Sequence, residues 1–413
     1  MSRVVSVLAL ILMLLTGLVL GQMSTLGRRP MQIAATSDSG SAETARAFYR
    51  AINLYLETGD AQALQQSLAP EFVGHAPYVA GNESAESFLQ YVASLRATFP
   101  GLRLAASGLS AQAGIVAMDV TLTGNTAGAF AGMPVDAGSG TSGYEVLRIE
   151  GQQIAERWGS RDLPPFYQSV IAVDMPIAAY AHPEPRIERL KFESNGFLEF
   201  IDYDGFILIA ETGAMTWQVV SYPEAGADSA TATPVLDSFS LPEAGASVEM
   251  APGESIAVPA GVRFRIVNSG LGPAAALIIS IRQALLSMEG SLSHKVIESI
   301  GMERIFLAGG VAPVTYEDST RSIVVGKVGL SPGSDIPRHT TGDVELLVVI
   351  EGEIDVTVQQ GQVVWSQPGK RFVAVDERQT ISAGQGVGAN PGAVVEFRAS
   401  GDEPATLWIM TIV

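Results

Sequence analysis

The chain has 413 residues, a formal net charge of −18 and no cysteine. Without cysteine there is no disulfide framework and no lipidated-cysteine anchor, and the excess of carboxylates repels a phosphate backbone, so nucleic acid is not an expected partner. Charged residues make up only 16%, while 43 glycines and 22 prolines favour many short strands and turns over long helices, in two or three domains.

Arg3 precedes an unbroken apolar run from Val4 to Leu20 that closes with Gly21-Gln22. Residues 1–22 therefore read as an export signal or membrane anchor. The run is intermediate between a signal-peptide core and a minimal membrane span, so cleavage after Gly21 and retention with Arg28-Arg29 beyond it both stay open. Either way the remainder is exported, secreted or anchored to the membrane facing outward. Residues 23–41 are small and polar, a flexible linker.

A first domain follows over 42–172. Phe48, Ile52, Tyr55 and Leu56 recur at helical spacing, Gly59 supplies a stop, and Asp60 caps a second short helix. Asn82 begins a glycosylation sequon and reads as the cap of a helix that places Phe88, Tyr91, Val92 and Leu95 on one side before Pro100. The period then changes to two over Ile115–Thr123, Gly143–Ile149 and Ile154–Trp158, with Glu150-Gly151 as a hairpin turn. Helices first and a sheet afterwards predict an α+β half-cone.

Four stretches carry a family resemblance: Phe72-Val73-Gly74-His75-Ala76-Pro77, Leu95 through Leu102, Gly128-Ala129-Phe130-Ala131-Gly132-Met133-Pro134, and Trp158-Gly159-Ser160-Arg161-Asp162. Over about 41–170 the chain resembles the SnoaL-like polyketide cyclases, or ester cyclases. The resemblance implies a helix-lined curved sheet around an apolar pocket, with Asp162 as the acid/base that takes a proton from a carbon flanked by carbonyls. Burial would raise that carboxyl toward working pH. The family histidine before Gly-x-Phe is Thr126 here, a departure that weakens the catalytic reading. His75, Phe130 and Trp158 are candidate pocket residues, although aromatic side chains at such spacings are more often core.

Pro164-Pro165 closes that domain, and a linker is expected through Pro176, Pro183 and Pro185. Two further units are read at 186–282 and 315–413, joined by a helix over Leu285–Ile305. In the first, Gly253, Pro259, Gly261 and Asn268 fit the second cupin motif, but Phe264 stands where that motif has its histidine, and a phenyl ring offers no lone pair to a cation. In the second, Gly333, His339, Glu345 and Gly352 fit the first cupin motif, with Thr341 replacing its second histidine. The tail thus resembles a degenerate bicupin, which implies antiparallel barrels whose ligands converge from adjacent strands.

The fourth ligand of the second unit depends on register. Counted from Pro391 it is Glu396, counted back from Gly401-Asp402-Glu403-Pro404 it is Val395, and one residue of slip reverses the face. A set of His339, Glu345 and Glu396 would suit manganese or iron; otherwise no cofactor is expected. His182 and His294 lack ligand-spaced partners and are assigned to solvent. No phosphate loop, Gly-x-Ser-x-Gly elbow or Cys-x-x-Cys pair is present.

The predicted fold class is α+β: a SnoaL-like helix-plus-curved-sheet cone, then two cupin-like antiparallel β-barrels. The function read from it is an exported, non-catalytic protein that binds a small carbonyl-bearing or apolar molecule, with the membrane a partner only through an uncleaved N-terminus and a homo-oligomer left open. The alternative is an ester cyclase or isomerase using Asp162.

Overall fold

The apolar stripe after the linker forms α1 (Ser39–Thr58), which buries Ala45, Phe48, Ile52 and Leu56. It ends at Gly59, whose φ of 82° suits glycine and whose N–H reaches Tyr55 O at 2.8 Å. Ahead of α2 (Gln62–Ser67), the Asp60 carboxylate accepts from Gln62 N–H at 3.0 Å. β1 (Leu68–His75) precedes α3 (Ala85–Thr98), whose cap is Ser84, accepting from Ser87 N–H at 3.2 Å. The computed structural model describes residues 39–75, 83–131, 133–138, 140, 142–159, 166–177, 183–202, 204–223, 241–283, 294–309, 319–365, 371–373 and 375–412. The expected export segment 1–22, the linker as far as residue 38, the expected cap Asn82, His182 and Asp162 lie outside them. Among the described residues, no helix is long and apolar enough to cross a membrane.

Period-two alternation then gives β2 (Leu102–Gln112), β3 (Ile115–Gly124), β4 (Ala127–Phe130), β5 (Met133–Asp136), β6 (Ser142–Glu150) and β7 (Gln153–Trp158). The sheet order is β1-β7-β6-β3-β2, with β1 parallel to β7 and the other pairs antiparallel. β4 and β5 form a separate hairpin.

β8 (Phe166–Ile177) falls where a linker was expected, yet it pairs antiparallel with β17 (Ser319–Leu330), at the end of the second barrel's larger sheet. Pro176 hid it in the sequence; an edge strand tolerates proline because one of its sides needs no donor. The first barrel comprises β9 (Pro183–Asp202), β10 (Phe206–Thr212), β11 (Met215–Ser221), β12 (Ser247–Met250), β13 (Ser255–Val258), β14 (Arg263–Asn268), β15 (Ala274–Gln283) and β16 (His294–Gly309). Its sheet runs β12-β11-β14-β9-β15-β10-β13, and β16 lies along β9. The described part of the expected helix 285–305 is thus strand: the ladder offered by β9 overrides a local helical spacing.

The second barrel adds β18 (Asp335–Thr340), β19 (Glu345–Glu351), β20 (Glu353–Gln360), β21 (Val363–Trp365), β22 (Arg371–Val373), β23 (Arg378–Ser382), β24 (Gly386–Ala389), β25 (Val394–Ala399) and β26 (Ala405–Ile412). Its sheets are β22-β21-β24-β19-β26-β17-β8 and β18-β25-β20-β23. The architecture is the predicted one, a helix-lined sheet followed by two cupin-like barrels.

The hydrophobic cores cross these boundaries. One continuous cluster joins Phe48, Phe88, Val120 and Leu147 of the cone to Val328, Ile336, Val395 and Phe397 of the second barrel. Another joins Ile207 and Ile279 of the first barrel to Leu346 and Met410 of the second. Phe130 is the pivot of the first junction. Its ring packs on Tyr167 at 5.0 Å between centroids, and a Cβ at Gly326 would overlap it, so only glycine lets β17 approach.

Candidate functional site

In the first barrel, strand alternation turns Phe264 inward, where it is fully buried. Its ring stacks on Trp217 at 5.4 Å and 18°, and meets Phe206 edge-on at 5.4 Å and 83°, with Phe200 at 6.3 Å. The metal-binding position is therefore occupied by an aromatic plug, whose contacts favour the apolar state. Asn268 keeps a structural role: its amide donates to Glu193 O and Gly272 O, both at 2.8 Å.

In the second barrel, β18 and β19 bring His339 and Glu345 together, both buried. The Nε2 to Oε2 distance is 3.0 Å, and Nδ1 lies 2.8 Å from Pro337 O. A carbonyl oxygen only accepts, so Nδ1 donates to Pro337 and Nε2 is the nitrogen that pairs with Glu345. Burial opposes a charge on the ring, but the Glu345 hydrogen bond and charge, with the Pro337 carbonyl, outweigh it and hold the pKa above the usual histidine value.

That arrangement does not fit a metal. Thr341, in the place of the second histidine, is committed elsewhere: its Oγ donates to Asn390 O at 2.6 Å while accepting from Ala393 N–H at 3.0 Å. The register pairs His339 with Val395, which is buried, and alternation turns Glu396 to the other face, opposite Thr357 of β20. Of the expected trio, His339 and Glu345 meet and Glu396 does not join them, because the register counted from the following turn is the one adopted. Among the described residues no group of three or more His, Asp or Glu side chains is disposed to hold a metal ion.

His339 and Glu345 border a half-open cavity of about 240 Å³ that is also lined by Asp343, Val344, Thr411, Ile412 and Met133. Met133 comes from the β4–β5 hairpin of the cone, and Ala131 O of the same hairpin accepts from Thr411 Oγ. The stretch that carried the cyclase resemblance thus covers the barrel's cavity. Of the lining residues, Glu345 has its Oε1 buried without a hydrogen-bond partner.

In the cone, a guanidinium is buried. Arg157 donates to Glu145 through Nη2 at 2.5 Å and Nε at 3.2 Å, lies 3.8 Å from Glu83, and sits 5.0 Å over the Phe88 ring. Tyr49 donates to the same Glu145 oxygen as Arg157 Nε. Burial, then the Glu145 charge, push the Tyr49 hydroxyl well above the usual tyrosine range. Sequence reading missed this cluster, although Glu145 sits in frame with the buried Leu147 and Ile149. With both Glu145 oxygens engaged, the cluster fixes the sheet to the helices.

His75 and Trp158 do not face this interior. They are cross-strand partners stacked at 4.9 Å and 10°, on the face of β1 and β7 opposite Phe72 and Arg157, with His75 Nε2 3.3 Å from Glu156. Their expected pocket role fails because odd and even positions of a strand point apart. Phe130 lines the junction described above rather than a cone pocket.

Residues 43–169 match the family model of SnoaL-like polyketide cyclases. No curated protein matches the chain. Among solved structures, AerE from Microcystis aeruginosa is 14% identical, covering 60% of this chain and 99% of its own, with a TM-score of 0.33. Wild-type IdmH from Streptomyces antibioticus is 22% identical over 29% of this chain and 89% of its own, at 0.25. The 11S allergen from Cocos nucifera L. is 13% identical over 58% and 89%, at 0.33. Residues 43–169 therefore carry a SnoaL-like domain.

Proposed function

We propose that this is an exported protein that binds a small, largely apolar molecule in the cavity of its second barrel, and that the binding is not coupled to catalysis. The observation that carries the reading is Glu345, which has a buried Oε1 acceptor without a partner and lines a half-open cavity together with Met133, Val344, Ile412 and Asp343. An unsatisfied buried acceptor costs about 1–3 kcal/mol, which a donating ligand recovers. A hydroxyl suits it, including the enol of a carbonyl compound. His339 holds the other carboxylate oxygen.

The degenerate ligand positions, Phe264 and Thr341, support a binding role over metal chemistry. The apolar run Val4–Leu20 supports export. Calorimetric titration of the full chain with phenol, and with acetylacetone as an enol donor, tests the reading. Binding that weakens about tenfold or more in Glu345→Gln is expected. Absence of binding by either probe, or equal affinity in the variant, overturns it.

A further inference from the structure

Away from that cavity, a cleft of about 650 Å³ opens where the two barrels and β8 meet. Its size is that of a site for a small organic ligand. Trp408, Ile350, Val170 and Ala275 supply apolar walls. Its cations are Arg189, Lys191 and Lys327, and its carboxylates are Glu211 and Glu351.

These charges are not all balanced locally. Arg189 is spent on Glu211, which it holds through Nε at 2.6 Å and Nη2 at 2.8 Å. Glu351 is exposed at the rim. Among the described residues, Lys191 and Lys327 form no ion pair or hydrogen bond, although Glu303 is the cross-strand neighbour of Lys191. The sequence holds only four lysines in a chain of net charge −18, and two of them face this one cleft. Lys327 is half-buried, so its ammonium is screened less than a free surface charge.

We infer that this cleft is a second binding site, for a small organic carboxylate whose charged end lies between Lys191 and Lys327 and whose apolar body rests on Trp408, Ile350 and Val170. Lys327 and Gln168 also line a smaller cavity of about 210 Å³ toward the cone, where Glu83 lies. The Glu83 carboxylate repels an anion there, which keeps the charged end on the cleft side. Gln168, Ser169 and Thr212 add neutral hydrogen-bonding groups along the wall.

The test is calorimetry of the full chain with 4-phenylbutyrate and with its neutral amide. The carboxylate is expected to bind roughly tenfold or more tightly than the amide, and to lose affinity as salt is raised. Lys191→Gln and Lys327→Gln should each weaken it, the double variant should abolish it, and Lys→Arg at either position should retain it. Glu345→Gln should leave this binding unchanged, which separates the cleft from the cavity of the second barrel. Failure of the carboxylate to bind, equal binding of the amide, or full affinity in the double lysine variant with an unchanged melting profile overturns the site.

Discussion

The Phe130 ring lies against the bare Cα of Gly326, so that the hairpin of the SnoaL-like domain and strand β17 of the second barrel meet with no side chain between them. Gly326→Ala must displace that ring, and overpacking of this kind costs about 1–3 kcal/mol. Phe130→Ala removes the ring altogether and costs about 3–5 kcal/mol. The two effects should not add: with the ring gone, the extra methyl has room, and the double variant should be little worse than Phe130→Ala. Urea unfolding of the four proteins reads the coupling, and strict additivity would show that the contact is not formed.

His339 makes stability depend on pH. Its folded-state pKa lies above the unfolded value of about 6.5, so its contribution is complete below that value and is lost as pH rises through the folded pKa. Urea midpoints of the wild type should fall over that window, and His339→Gln should remove this component. The variant also takes the ring partner from the buried Glu345 carboxyl, at a cost of about 1–3 kcal/mol. A wild-type midpoint that climbs through the same window, with His339→Gln abolishing the climb, would contradict the raised histidine pKa.

Phe264→His restores the cupin letter without restoring the site. The imidazole would enter a packed group of Trp217, Phe200 and Phe206, and burying its polar nitrogens there costs roughly 1–3 kcal/mol. Added manganese should not raise the melting temperature of the variant. A metal-dependent rise would mean that ligands converge on this position after all.

The sequence carried the cone's inward residues well, because Phe48, Ile52, Phe88 and Leu95 repeat at helical spacing and Val116, Met118 and Val120 at strand spacing. It also carried Phe264 and the His339–Glu345 pair, since motif spacing fixes both. It did not carry β8 or β16. Those strands exist because distant edges, β17 and β9, accept them, and no local period records a pairing partner.

Register is the other boundary. Val395 and Glu396 are equivalent until the ladder with His339 is formed, and the same holds for Trp158 against Arg157. The buried Glu145 was legible in principle: a charge in frame with Leu147 and Ile149 marks a partner across the core, here Arg157 and Tyr49.

The most direct test of where ligand is held is native mass spectrometry of the full chain isolated from its own cells, compared across the wild type, Glu345→Gln and Asp162→Asn. Binding in the second barrel gives a small-molecule mass on the wild type that persists in Asp162→Asn and disappears in Glu345→Gln. The reverse pattern, or turnover of a 1,3-dicarbonyl ester that Asp162→Asn abolishes, would contradict it and establish the cone as a working cyclase site.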